Sequence, residues 1–107
     1  MKENNNCYLI ALTKPLPGKE AEYNQWYDNI HLKEVVAIDR VLSGKRFKLA
    51  DTQMTETPHY YKYMVIYEIE AGHYEEALEN IKAAMPNMNI EPVIDPTDQL
   101  SYLVEPI

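Results

Sequence analysis

Residues Tyr60 to Glu70 read YYKYMVIYEIE, the strongest strand signal in the chain. β-branched and aromatic residues dominate it. A period of two separates Tyr61, Tyr63, Val65, Tyr67 and Ile69 from Tyr60, Lys62, Met64, Ile66 and Glu68. Both sets are largely apolar or tyrosine, so neither face of this strand suits open water. Three more runs read as strands around it. Residues 7–13 (CYLIALT) form a nearly unbroken apolar run. Residues 41–49 carry Val41, Phe47 and Leu49 on one expected face, with Gly44 inside the run and Asp51 to Pro58 as a turn-rich hairpin connection. Residues 100–104 (LSYLV) close the set.

Two amphipathic helices separate these strands. From Gly18 to Ile30, Tyr23, Trp26, Tyr27 and Ile30 recur at i, i+3, i+4 and i+7, while Glu20, Glu22, Asn24 and Asp28 take the other faces. Leu32 to Ile38 continues this helix or forms a short second one. From His73 to Met85, the apolar face is Tyr74, Ala77, Leu78, Ile81 and Met85. Pro86, Pro92 and Pro96 then make Pro86 to Asp98 a long irregular connection. The order is β-α-β-β-α-β, an α+β, ferredoxin-like arrangement with a four-stranded antiparallel sheet and both helices on one face. The other face is left with apolar and tyrosine side chains, which soluble monomers seldom expose. A homodimer packed sheet to sheet resolves the imbalance; a monomer with a tyrosine-rich open face is the alternative.

The 107 residues suit one domain, 1–107, able to bury a core without a staple. Ten Lys and Arg against 17 Asp and Glu give a net charge of -7, which disfavours nucleic acid and anionic membranes. The tyrosine-rich strand resembles a base-stacking sheet, but the basic–aromatic signature of RNA-binding sheets is missing. No apolar run approaches a membrane span, and the start, MKENNN, lacks the apolar stretch of a signal peptide, so a cytoplasmic location is expected. The single cysteine, Cys7, sits in a buried-looking strand and reads as an inert thiol. No GxGxxG, Walker or GxSxG motif is present.

The sharpest chemical feature lies on the first helix: Tyr23, Trp26, Tyr27 and His31. His31 neighbours Tyr27 at i+4 and Asp28 at i+3. An imidazole among phenols and an indole suits acid–base work near neutral pH, and aromatic walls suit a flat apolar ligand. The same spacing equally describes core residues with a histidine at a helix C-terminal end. His59 and His73 read as solvated loop and terminus residues. The three histidines lie 28 and 14 positions apart with no metal-ligand spacing, so no metal is expected. Glu68, Glu70, Glu75, Glu76 and Glu79 read as strand-end and helix-surface charges rather than a catalytic pair.

The run EAEYNQWYDNIHLKEV (Glu20 to Val35), after LTKPLPG, resembles the dimeric α+β barrel superfamily, and within it the EthD-like and REDY-like HapK groups. Their W-Y-x-x-x-H-x-x-E pattern falls here on Trp26, Tyr27, His31 and Glu34, and YLVEPI (Tyr102 to Ile107) is similar to their last strand. One departure concerns the turn before the second strand. Relatives often carry Pro-Gly there, and this chain has Asp39-Arg40. The resemblance implies sheet-to-sheet homodimers and a pocket between helices and sheet into which His31 points. It also implies roles in secondary metabolism or the breakdown of aromatics. Haem is a poor candidate, because the chain's only Trp is on the first helix. The expected function is therefore that of a cofactor-independent cyclase, isomerase or decarboxylase acting on a small aromatic or polyketide-like compound. His31 would move the proton and Tyr27 orient the substrate oxygen, with Tyr23, Trp26, Tyr63 and Tyr67 lining the pocket and residues 86–98 covering its mouth. A non-catalytic small-molecule binding or accessory protein of the same fold is the alternative.

Overall fold

A computed structural model of the chain describes residues 5–56 and 60–107. His59, expected to be a solvated loop residue, lies outside the described residues. Four strands, β1 (Cys7–Thr13), β2 (Val41–Lys48), β3 (Tyr63–Ile69) and β4 (Leu100–Val104), form one antiparallel sheet in the order β2-β3-β1-β4. Between β1 and β2 runs one helical rod: α1 (Glu20–Trp26), a π-turn (Tyr27–His31) and α2 (Leu32–Val36). Helix α3 (Tyr74–Ala84) follows β3 and ends in a short 3-10 turn (Met85–Asn87). The β-α-β-β-α-β order and both helices on one sheet face agree with the sequence reading.

Register sorts the side chains. Cys7, Leu9, Ala11 and Thr13 of β1 stand opposite Ile69, Tyr67, Val65 and Tyr63 of β3 on the helix-covered face. There they join Tyr23, Trp26, Tyr27, Val35 and Ala77 in the core. Removing such apolar surface from water is the main force holding the layers together. The opposite face carries Tyr8, Ile10 and Leu12, flanked by Met64 and Ile66 on one side and Leu100, Tyr102 and Val104 on the other.

Four details differ from the sequence pattern, each for a local reason. In β2 the pairing skips Leu42, so Val41 opposes Ile69 while Ser43 opposes Glu68. This bulge reverses the alternation, placing Phe47, 39% exposed, on the face away from Val41. β3 starts at Tyr63 rather than Tyr60, and the Tyr61 hydroxyl instead donates to Asp98. On α3, Ala77 is fully buried, but Tyr74 and Met85 at its two ends are exposed. Residues 86–98 are irregular but pinned, with a bridge from Ile94 to Pro15 and Val93 and Ile94 both buried.

The Asp39-Arg40 turn takes the shape a glycine would provide. Arg40 has φ 75, in the left-handed region that penalises a side chain. Two carboxylates hold it there: Glu70 at 2.6 Å and Glu76 at 2.5 Å from its guanidinium. Its carbonyl also accepts the Glu70 N–H at 3.0 Å. Gly44 has a different constraint. A Cβ at that position would lie 2.8 Å from the Tyr67 ring and 3.0 Å from Leu32 Cδ1.

Candidate functional site

Between the sheet, the helical rod and residues 85–99 lies a cavity of about 440 Å³. Its floor is Leu9, Ala11, Thr13, Tyr67 and Ser101, and its helical wall is Trp26, Tyr27, His31 and Val35. Ile81, Met85, Met88, Ile90, Ile94, Pro96 and Gln99 complete it. No Asp, Glu, Lys or Arg is among these residues. The segment expected to cover the site thus supplies much of its enclosure.

The π-turn arranges the wall. In an α-helix, residues five apart point about 140° away from each other. Across the π-turn, Trp26 and His31 stack instead, with ring centroids 4.8 Å apart and planes within 13°. The Tyr27 ring meets His31 edge-on at 5.0 Å. Single π-turns inside α-helices are frequent at functional sites.

His31 is mostly buried, with 17% of its side chain exposed. Its Nδ1 lies 3.5 Å from Glu34 Oε1, and neither buried atom has a hydrogen-bond partner. Burial pushes the imidazole below its ordinary value, and Glu34 partly opposes the shift. The carboxylate beside His31 is therefore Glu34 and not Asp28, which pairs with Arg46 at 2.8 Å. Burial raises both phenols near the imidazole, Tyr27 to about 12 and Tyr67 likewise upward. Both remain protonated donors at neutral pH. The Tyr67 ring lines the cavity, while its hydroxyl is buried within reach of the Tyr27 side chain and is not open to the cavity.

Of the residues singled out from sequence, Trp26, Tyr27, His31 and Tyr67 come together on the cavity. Tyr23 and Tyr63, expected as pocket walls, do not. Tyr23 is fully buried behind the wall, its hydroxyl hydrogen-bonded to Thr13. Tyr63, at the β2 edge of β3, donates to Glu20 and accepts from Asn24. Thr13, Trp26 and Tyr27 stand between Tyr23 and the cavity, and Arg46 packs over the tyrosines of this cluster. Its guanidinium lies 4.6 Å from the Tyr27 ring centre and 5.5 and 5.6 Å from those of Tyr23 and Tyr63. Asp28 and Asn24 bind its two terminal nitrogens at 2.8 and 2.7 Å. This buried cation, seated by cation–π contacts, escaped the sequence reading because the β2 bulge decides which face it takes. His73 stands at the start of α3 between Glu70 and Glu76, without a capping hydrogen bond from its side chain. Among the described residues, no three His, Cys, Asp or Glu side chains gather as a metal site would require.

No family model matches the chain, and no curated protein matches it. Solved structures do. An ethyl tert-butyl ether d (EthD) family protein from Bacillus halodurans aligns with a TM-score of 0.59 at 17% identity, covering 95% of this chain and 99% of that one. A dimeric ferredoxin-like protein of unknown function from Thermobifida fusca aligns at 0.53 and 13% identity, covering 98% and 94%. HapK from Hahella chejuensis aligns at 0.52 and 10%, covering 90% of each chain. The likeness shows the fold. It is the ferredoxin-like α+β fold of the EthD-like and HapK proteins, the groups that the helix-one motif resembles. No helix among the described residues is long and apolar enough to cross a membrane.

Proposed function

We propose that the protein is a cofactor-independent acid–base enzyme acting on a small, uncharged, oxygen-bearing ring compound of aromatic or polyketide type. One observation carries this reading: an apolar cavity free of Asp, Glu, Lys and Arg brings the mostly buried His31 imidazole and the Tyr27 and Tyr67 side chains to one lining. The walls fit a flat apolar ring, and the absent cationic group disfavours a carboxylate ligand. The neutral His31 imidazole would take a carbon-bound proton next to a carbonyl. The Tyr27 hydroxyl would donate to the carbonyl oxygen as it gains negative charge, with Tyr67 packed beside it. Returning the proton at the same or another carbon gives exchange, isomerisation or cyclisation. Trp26 and Tyr27 hold the imidazole plane. Tyr23 and Tyr63, with Arg46, brace the wall from behind.

The same reading includes a cytoplasmic homodimer joined through the open sheet face. That face exposes Phe47, Leu100, Tyr102 and Val104 at 39–52% beside Tyr8, Ile10, Leu12, Met64 and Ile66. A dimer would bury it, in keeping with the dimeric Thermobifida fusca neighbour.

The test is substrate-independent in kind. Incubation with 2-tetralone in D2O reads proton transfer at carbon by loss of its α-hydrogen signals. Wild type should accelerate the exchange, His31→Ala should not, and both should melt at nearly the same temperature. Ketone binding, followed through Trp26 fluorescence, without any acceleration would instead favour a non-catalytic binding protein.

A further inference from the structure

Glu34 stands outside the cavity, yet it touches both parts that define it. Its Oε1 faces His31 Nδ1 at 3.5 Å. Its Oε2 accepts the backbone N–H of Asn89 at 2.8 Å. The other backbone group of Asn89, its carbonyl, accepts Trp26 Nε1–H at 2.8 Å. Asn89 is thus pegged to the helical rod through two side chains eight residues apart. The residues on either side of the peg, Met88 and Ile90, both line the cavity.

We infer that Glu34 is a positioning residue that sets the proton on His31 and fastens the cavity's covering segment with the same carboxylate. The inference rests on the reading of His31 as the proton-transfer residue. Nδ1 and Oε1 are buried, and neither has another partner. Hydrogen bonds of this kind are often long in the unliganded protein and tighten when the site fills. A carboxylate only accepts, so the proton of the neutral imidazole belongs on Nδ1. Nε2 is then the lone-pair nitrogen, free to accept a proton from a cavity occupant. The second oxygen is already held by Asn89, which fixes the carboxylate plane. One carboxylate therefore both helps hold residues 86–98 against the rod and sets the basic state of Nε2.

The carboxylate's two oxygens predict different consequences for two substitutions. In Glu34→Gln only the carbonyl oxygen can accept the Asn89 N–H, so the amide nitrogen must face His31. That nitrogen donates, which forces Nδ1 to accept and moves the imidazole proton to Nε2. Glu34→Gln should thus keep the peg and invert the tautomer. Glu34→Ala should lose both.

The measurement is 15N–1H NMR of His31 at pH 8, where the imidazole is neutral, together with amide hydrogen exchange at Asn89. Wild type should show a protonated Nδ1 and a lone-pair Nε2, and Glu34→Gln the reverse with Asn89 exchange unchanged. Glu34→Ala should raise Asn89 exchange about tenfold or more, as for loss of a hydrogen bond to a charged acceptor. A wild-type proton on Nε2, an unchanged tautomer in Glu34→Gln, or unchanged Asn89 exchange in Glu34→Ala would each overturn the assignment. If Glu34→Ala does not fold, accelerated Asn89 exchange in Glu34→Gln overturns it instead. None of these readouts requires turnover. Absent ketone exchange with the expected tautomers would count against the enzyme reading alone.

Discussion

Gly44→Ala adds one carbon at a confined point of the β2–β3 pair. The new Cβ would stand 2.8 and 2.9 Å from two atoms of the Tyr67 ring and 3.0 Å from Leu32 Cδ1. Ordinary carbon contacts lie at about 3.5–4.0 Å, so the overlap is on the order of 0.5–1 Å. The end of Leu32 can swing, but Tyr67 is 3% exposed and hemmed in by the rod. Overpacking of this kind costs about 1–3 kcal/mol. Against it stands about 0.4–1 kcal/mol gained by restricting the unfolded chain. A net loss of about 0.5–2 kcal/mol is expected. Urea unfolding followed by the fluorescence of Trp26, the single tryptophan, measures it directly. The relieving motion tilts Tyr67 toward the cavity, so binding of 1-naphthol should weaken as well. A second variant, Tyr67→Leu with Gly44→Ala, should recover part of the loss, making the pair non-additive. Refutation is simple: if Gly44→Ala gains stability, the ring is not fixed where the cavity requires it.

Arg40→Gly should melt higher than Arg40→Ala in a thermal scan, since both lose the carboxylate contacts but only alanine keeps the left-handed strain. Leu100→Glu combined with Tyr102→Glu places charges on the open face and should convert a dimer to monomers in sedimentation equilibrium without changing the circular dichroism. Tyr67→Phe removes a buried hydroxyl that makes no well-formed hydrogen bond, so stability read from urea unfolding should rise by about 1 kcal/mol. His31 contributes a pH dependence with a definite sign. Its folded value lies below the ordinary 6.5, so the unfolded chain binds the extra proton first. Its share of stability is present in full above about pH 6.5 and is lost as the pH falls through the folded value. Urea midpoints across this range should vary less in His31→Gln than in wild type.

The architecture was legible because its signals are periodic. Alternation in β3 and the three–four spacing of Tyr23, Trp26, Tyr27 and Ile30 each report burial on one face. Together they identified the layers and the aromatic wall. What escaped depends on single-residue irregularities that no period reveals. The skipped Leu42 turned Phe47 outward and Arg46 inward, where its guanidinium packs over the Tyr23 and Tyr63 rings. Arg40 occupies a glycine's conformation because two glutamates distant in sequence neutralise it. Glu34, present in the helix-one motif, gave no sign of its reach to Asn89, since a loop backbone carries no side-chain signature.

The π-turn is the irregularity that joins these strands of argument. It departs from the preferred helical hydrogen bonding, and propensity alone gives Tyr27–His31 no reason to adopt it. Core packing draws on it, for in an ordinary helix Val35 would point about 180° from Trp26, and the turn brings both to the buried face. It also brings His31 flat against Trp26, with Nδ1 toward Glu34 and the ring on the cavity. One irregularity thus seats both halves of the rod on the sheet and sets the imidazole against the indole, so the shape of the cavity wall and the packing of the core are decided together.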